Sequence, residues 1–154
     1  MKPGTIDFAA VFSANFFNLL MVGIMLSRLK GQQRLERFWG MIGVTLIFPL
    51  FGVFIYNIYA ARDLWKIFLP GLFIVFLLVE WGLDYVLKYP FRQSRWLGAY
   101  LLLFYLAQWG MIGYGFISGP IAGYVTLVTY FLSLGATAYS YKKVGHGIQN
   151  HPGV

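Results

Sequence analysis

The sequence predicts an all-α integral membrane protein, a bundle of five transmembrane helices. Of its 154 residues, 59% are hydrophobic and only 11% are charged, and the mean hydropathy is +0.67. Soluble domains contain about 25% charged residues and roughly 45–50% apolar ones. The apolar residues also fall into runs of roughly 20, the length that a helix needs to cross a bilayer. We therefore expect lipid to surround most of the chain.

Five apolar runs define the predicted spans of a single transmembrane domain that covers residues 1–154. The runs cover residues 9–27, 41–60, 67–87, 97–117 and 120–141. Because a bilayer core offers no water, every backbone N–H and C=O group in these runs must pair internally, which favours helices. The connections between runs are short, so neighbouring helices are expected to be antiparallel and mutually packed. Residues 144–154 contain three glycines and one proline, and we expect a flexible tail there.

Two prolines lie inside the predicted spans. Pro49 falls in the middle of the second span, where the missing N–H and the bulk of the ring predict a kink. Pro70 falls close to the start of the third span, where proline is tolerated. The second span is therefore the one expected to depart from a straight helix.

Basic residues predict the orientation of the bundle. Nine of the twelve Lys and Arg residues flank the first or third connection or follow the last span: Arg28, Lys30, Arg34, Arg37, Lys88, Arg92, Arg95, Lys142 and Lys143. Only Lys2, Arg62 and Lys66 lie on the other side. The positive-inside rule then places the N-terminus outside and the C-terminus in the cytoplasm. We expect the cytoplasmic (plasma) membrane as the location, with anionic headgroups against the basic face.

Composition excludes several kinds of chemistry. The chain has no cysteine, which rules out disulfides, thiolate catalysis and iron–sulfur clusters. Its two histidines, His146 and His151, fall in the tail, so a b-type haem with histidine ligands has no ligand set inside the bilayer. We expect no cofactor and no metal site. The aromatic residues beside the basic ones are typical of a membrane interface, so nucleic acid is not expected as a partner.

Two carboxylates in the third span are the main indication of function. Glu80 and Asp84 are four residues apart, which places both on one face of a helix. Asp84 is close enough to the predicted cytoplasmic boundary to form an ion pair with a basic residue of the third connection. Glu80 lies deeper, where a polar group is costly unless it has a partner. It either binds a proton, cation or amine, or it locks neighbouring helices together.

Other polar residues inside the spans complete the candidate ligand-binding site. The set consists of Glu80, Asp84, Asn15, Asn18, Gln108, Thr129 and Ser133. An amide at mid-depth needs a hydrogen-bond partner on another helix. Thr129 and Ser133 belong to a stripe of hydroxyl residues on the fifth span, which either lines a polar pathway or packs by bonding to its own backbone.

Three functions fit these residues. The first is binding or transport of a small amphipathic or cationic ligand at a polar site around Glu80, with a homodimer possible if a pathway is to be built. The second is a non-catalytic accessory or scaffold subunit of a larger membrane complex. The third is a membrane enzyme that acts on a lipid-soluble substrate with Glu80 and Asp84 as an acid/base pair. No nucleotide loop or hydrolase signature occurs in the sequence, so catalysis is the least favoured of the three.

Overall fold

The computed structural model describes residues 3–87 and 94–144. The helices are α1 (Pro3–Leu29), α2 (Gln33–Thr45), α3 (Ile47–Tyr59), α4 (Leu64–Trp81), α5 (Leu97–Ser118) and α6 (Pro120–Val144), and a π-helical turn (Gly82–Val86) follows α4. The predicted all-α fold is confirmed, with five helices long and apolar enough to cross a membrane, since α2 and α3 form one long helix. The predicted tail beyond Val144, the two histidines, Lys88 and Arg92 lie outside the described residues.

Helix α1 lies at the centre of the bundle. It packs against α6, α2, α3 and α5. Ala10 and Ala14, one turn apart on α1, are completely buried, and side chains this small let neighbouring helices approach closely. Phe17 anchors α1 to α4, because its ring meets those of Phe73 and Phe76 edge to face at centroid distances of 5.3 and 5.8 Å.

Pro49 interrupts the second long helix, as its position in the sequence predicts. Regular α-helix ends at Thr45 and resumes at Ile47, and the intervening Leu46 N–H donates to the Gly43 carbonyl at 3.2 Å. Proline has no N–H, and its ring clashes with the carbonyl four residues earlier, here that of Thr45. The break therefore lies one turn before the proline.

The first connection is much shorter than predicted. Helix α2 begins at Gln33, whereas the apolar run begins near residue 41. Gly31 has a positive φ of 67°, and the Gln32 N–H donates to the Ser27 carbonyl at 2.9 Å, a glycine-based helix end that needs few residues. Hydropathy marks the part of a helix suited to lipid, so it missed the polar first turns of α2.

The turn between α3 and α4 uses the same backbone geometry without glycine. Ala61 adopts φ 46°, Arg62 N–H donates to the Asn57 carbonyl at 3.0 Å, and Ala61 N–H donates to the Ile58 carbonyl at 3.0 Å. These are the two hydrogen bonds of a Schellman motif. A residue with a Cβ is strained in this left-handed conformation.

Successive long helices alternate in direction, which gives the bundle two ends. The Asp7 end consists of the first turns of α1, the α3–α4 turn at residues 60–63 and the α5–α6 turn at Gly119. The Arg28 end consists of the α1–α2 turn at residues 30–32, the π-helical turn, the start of α5 and the last turns of α6. At the Asp7 end α5 and α6 nearly touch, since a Cβ on Gly115 would lie 3.0 Å from the Gly123 Cα.

We predict that Ala61→Gly stabilises the fold by about 1 kcal/mol, because glycine adopts positive φ without the steric penalty of a Cβ. The matched control is Ala60→Gly, since Ala60 has a φ of −82° and gains nothing from glycine. Unfolding of both variants by sodium dodecyl sulfate, followed by circular dichroism, measures the difference. Equal midpoints for the two variants would contradict the strain at Ala61.

Candidate functional site

A cavity of about 670 Å³ opens between the helices at the Arg28 end. It is lined by residues of α1, α2, α4, the π-helical turn, α5 and α6. Among them are two of the predicted carboxylates, Glu80 and Asp84, and the predicted hydroxyl residue Ser133. The cavity therefore brings together part of the candidate site, and it adds side chains that the sequence did not single out.

The cavity is polar near the end of the bundle and more apolar deeper inside. Charged side chains such as Arg28 and Glu36 line the part near the α1–α2 turn, whereas Met21 and Phe104 line the deeper part. Met21 precedes Arg28 by seven residues on α1, which corresponds to a depth difference of about 10 Å. A molecule with a charged head and an apolar body matches this distribution.

Glu80 and Asp84 lie on consecutive turns of the chain at the cavity wall. Glu80 is in the last turn of α4 and accepts a hydrogen bond from the Tyr100 hydroxyl on α5. Asp84 is in the π-helical turn, where the Leu87 N–H donates to the Gly82 carbonyl five residues earlier at 2.8 Å. Both carboxylate residues are half-buried. Turns with this wider spacing occur often at functional sites.

Gly40 on α2 makes room for the side chain of Tyr85, the residue after Asp84. The Tyr85 hydroxyl lies 3.4 Å from the Arg37 carbonyl oxygen on α2, and a Cβ built on Gly40 would lie 2.5 Å from that hydroxyl. A Cβ at this position would therefore displace the Tyr85 hydroxyl from its place beside α2. Both Gly40 and Tyr85 line the cavity.

Arg28 supplies a buried positive charge to the same cavity. Its Nε donates to Glu36 Oε1 at 3.0 Å, and its Nη2 donates to the same oxygen. The guanidinium carbon lies 5.9 Å from the centroid of the Tyr141 ring. The side chain is only 9% exposed, and Nη1 is buried without a hydrogen-bond partner in the part of the chain that the structure describes.

The cavity also receives two hydroxyl residues of α6. Ser133 Oγ donates to the Tyr130 carbonyl at 2.8 Å, and Thr137 Oγ1 donates to the Ser133 carbonyl at 2.8 Å. Each hydroxyl hydrogen is therefore engaged by the helix backbone. What the two oxygens can still offer a bound molecule is their lone pairs, as hydrogen-bond acceptors.

Three of the predicted site residues form a separate network that joins α1 to α6. Thr129 Oγ1 donates to Asn15 Oδ1 at 2.7 Å, Asn18 Nδ2 donates to Thr129 Oγ1 at 3.1 Å, and Asn15 Nδ2 donates to Thr126 Oγ1 at 3.1 Å. These residues do not line the cavity. In an apolar surrounding, such bonds hold two helices together. The Thr126 and Thr129 part of the hydroxyl stripe therefore packs helices, whereas Ser133 and Thr137 line the cavity.

Gln108, another residue of the site predicted from the sequence, also lies outside the cavity. It is 1% exposed, and the buried Ala107 and Met111 belong to the same stretch of α5. Its amide nitrogen and oxygen have no hydrogen-bond partner among residues 3–87 and 94–144. The sequence predicts the depth of such a residue but not how its helix is rotated, which decides whether it faces a cavity or the core.

A second charged cluster lies at the Asp7 end, and the sequence patterns did not single it out. The Asp7 carboxylate accepts hydrogen bonds from Arg62 Nη1 and Nη2 at 2.9 and 2.8 Å, from Lys66 Nζ at 3.0 Å and from the Tyr114 hydroxyl at 2.7 Å. Hydrogen bonding to Asp7 raises the pKa of Arg62, which holds the guanidinium in its charged form. The sequence offered one indication of this cluster. Asp7, Arg62 and Lys66 all flank spans at the end of the bundle that the positive-inside rule places outside.

Asn57 connects this cluster to the backbone of α4. Its Nδ2 donates to the Lys66 carbonyl at 2.6 Å, and its Oδ1 accepts from Arg62 Nη1 at 3.0 Å. Pro70, which lies inside α4, has no N–H to offer the carbonyl four residues earlier. Asn57 therefore satisfies the acceptor that Pro70 leaves unpaired.

No protein-family model matches the chain, and comparisons with curated proteins and with solved structures find no match either. Within the described parts of the chain, no group of three or more His, Cys, Asp and Glu side chains could hold a metal ion. The geometry of the cavity is therefore the basis for inferring a function.

We predict that Asp7→Asn destabilises the fold by about 3 kcal/mol, since breaking a buried ion pair leaves charges without compensation. The Asp7 side chain is 14% exposed, and its partners Arg62 and Lys66 are about as buried. The control is Asp63→Asn in the adjacent turn, an exposed acid without a side-chain capping hydrogen bond, for which we expect a change within about 0.5 kcal/mol. Thermal unfolding in detergent compares them, and equal losses would argue against a special role for Asp7.

Proposed function

We propose that the protein is an integral membrane protein that binds a small amphipathic molecule bearing an ammonium or other cationic group. The observation that carries the proposal is the cavity at the Arg28 end, which has carboxylates near its charged end and apolar side chains farther in. Ligand sites in proteins combine a largely apolar wall with a few placed polar groups.

Membrane insertion is supported by the surface of the bundle. Large apolar side chains project outward along its length, among them Phe48 at 78% and Ile121 at 80% exposure, and a bilayer would cover them. Exposed Trp65 and Tyr59 lie at the Asp7 end, and exposed Trp96 lies at the Arg28 end, where aromatic residues mark the two interfaces. By the positive-inside rule the Arg28 end, and with it the mouth of the cavity, faces the cytoplasm.

The chemistry of the wall supports a cationic group on the ligand. Glu80 and Asp84 supply carboxylate oxygens, and Ser133 and Thr137 supply acceptor lone pairs because their hydrogens are engaged. Aromatic side chains line the same cavity, including that of Tyr105. Carboxylates and ring faces both attract ammonium groups, and the attraction increases where water is displaced.

The opposite end of the bundle supports binding rather than passage through a single copy. Of the residues that line the cavity, none belongs to the cluster of Asp7, Arg62, Lys66 and Tyr114. Tyr114 is completely buried, and the Asp7 carboxylate ties together α1, the α3–α4 turn and α5. A ligand that entered from the Arg28 end would meet a closed bundle.

The predicted orientation can be tested by cysteine labelling, because the natural sequence has no cysteine that would also react. Single cysteines at the exposed positions Gln32 and Asp63 report the two ends. In intact cells, a membrane-impermeant maleimide should label Asp63→Cys and leave Gln32→Cys unlabelled until the membrane is opened. The reverse pattern would place the cavity mouth outside.

The binding prediction concerns Glu80. Purified protein in maltoside detergent should bind octylamine, and Glu80→Gln should weaken binding at least tenfold, about 1.4 kcal/mol, because the variant keeps the size and loses the charge. Isothermal titration calorimetry measures the affinity, and Asp63→Asn, which removes an acid at the other end, should bind within twofold of wild type.

If the unmodified protein binds no amphipathic amine, the proposal fails, and the polar residues are left as contacts between helices of an accessory subunit. Equal binding of octylamine to wild type and to Glu80→Gln would contradict a site at Glu80. It would indicate nonspecific binding of octylamine to the protein in detergent.

A further inference from the structure

We propose that the ligand is a zwitterion, which presents an anionic oxygen group to Arg28 as well as an ammonium group to Glu80 and Asp84. The inference rests on the proposed function, because it concerns the same cavity, and it narrows the ligand to a class. A phosphate or a carboxylate is the anionic group that matches a guanidinium edge.

Within the two described ranges, the ion pair with Glu36 leaves one nitrogen of the Arg28 guanidinium without an acceptor. Glu36 uses a single oxygen, Oε1, to accept from both Nε and Nη2. Nη1 points away from this contact along the rigid fork of the guanidinium. It is buried, and no acceptor among the described residues meets it. Because buried donors in proteins are nearly always paired, the free edge of Arg28 predicts an acceptor that a bound molecule would bring.

The positions of the charges argue against a ligand that is simply cationic. Arg28 is on α1, and Arg37 on α2 also lines the cavity, whereas Glu80 and Asp84 lie on α4 and its π-helical turn. A pure cation would use the carboxylates and leave Arg28 Nη1 without an acceptor from the described chain, since Glu36 meets only Nε and Nη2. A pure anion would meet the repulsion of Glu80 and Asp84. A molecule with both charges satisfies both walls.

Two sources could supply this chemistry: a phospholipid with an ammonium headgroup, or a soluble zwitterion. The deeper apolar wall near Met21 and Phe104 would take up part of an acyl chain. Both sources share the ammonium group and the anionic oxygen group that we propose the cavity binds, and the experiment below distinguishes between them.

The experiment compares three probes on full-length protein in maltoside detergent. Dihexanoyl phosphatidylethanolamine carries both charges, dihexanoyl phosphatidylglycerol carries only the phosphate, and octylamine carries only the ammonium. We expect the zwitterion to bind at least tenfold more tightly than either single-charge probe, as measured by isothermal titration calorimetry. Phosphoethanolamine without chains identifies the source: affinity equal to that of the lipid supports a soluble zwitterion, and much weaker binding supports a lipid headgroup.

Variants then test Arg28 itself. Arg28→Gln should weaken binding of the zwitterion at least tenfold and should not weaken octylamine binding, because it removes a positive charge and releases the Glu36 carboxylate. Glu36→Gln weakens the same ion pair but keeps the guanidinium, so it should keep the preference for the zwitterion. Lys142→Gln removes an exposed positive charge at the same end, outside the cavity lining, and should have no effect on any probe.

The outcomes separate the inference from the proposed function. If octylamine binds in a manner that depends on Glu80 but the zwitterion binds no more tightly, or Arg28→Gln has no selective effect, the inference is overturned and the proposed function stands. If no probe binds, the proposed function itself fails. Should Arg28→Gln not fold, the ranking of the three probes on wild-type protein decides the inference.

Discussion

The carboxylate of Asp7 is the single group on which the arrangement of the helices depends most. Its two oxygens accept four hydrogen bonds, from Arg62, Lys66 and Tyr114, and so they join the start of α1, the start of α4 and the end of α5. In surroundings with little water these charges must satisfy one another, because leaving one unpaired costs several kcal/mol. The strained turn at Ala61 and the amide of Asn57 both serve to bring Arg62 into place.

The hydrogen bonds that close the Asp7 end affect how tightly the Arg28 end must pack. Helices that are held at the Asp7 end, and packed around Phe17 and Phe73 in the middle, need not be tightly packed at the Arg28 end to stay together. That end is where the cavity lies and where the side chains around it are charged. The division resembles that of many binding proteins, in which a rigid part positions a less tightly packed site.

The fold could be predicted from the sequence because hydropathy and length decide whether a helix can cross a bilayer. Pro49 likewise predicts the break in the second long helix, since its effect is local. The polar start of α2 was missed for the converse reason, because residues such as Arg34 and Glu36 are compatible with a helix but not with lipid. Hydropathy therefore located the spans more reliably than the helix ends.

The candidate site was predictable only where one residue was informative by itself. Placing a carboxylate such as Glu80 or Asp84 inside a span costs free energy in any surroundings, and both residues line the cavity. Asn15, Asn18 and Gln108 are at similar depths, yet helix rotation turns them to other helices or to the core. The pairing of Asp7 with Arg62 joins residues 55 positions apart, and no local pattern in the sequence encodes it.

The wall of the cavity also contains a backbone irregularity, which regular helical periodicity does not predict. Relative to an α-helix, the π-helical turn at Gly82–Val86 inserts the equivalent of one residue, which rotates the later residues of the turn by about 100°. Tyr85 lies within that turn, and its hydroxyl lies beside the Arg37 carbonyl at a place that a Cβ on Gly40 would crowd. With a regular helix here, Tyr85 would point elsewhere. The approach of Tyr85 to α2 is thus a consequence of the path of the main chain, whereas the four-residue spacing of Glu80 and Asp84 places both on one face in a regular helix as well.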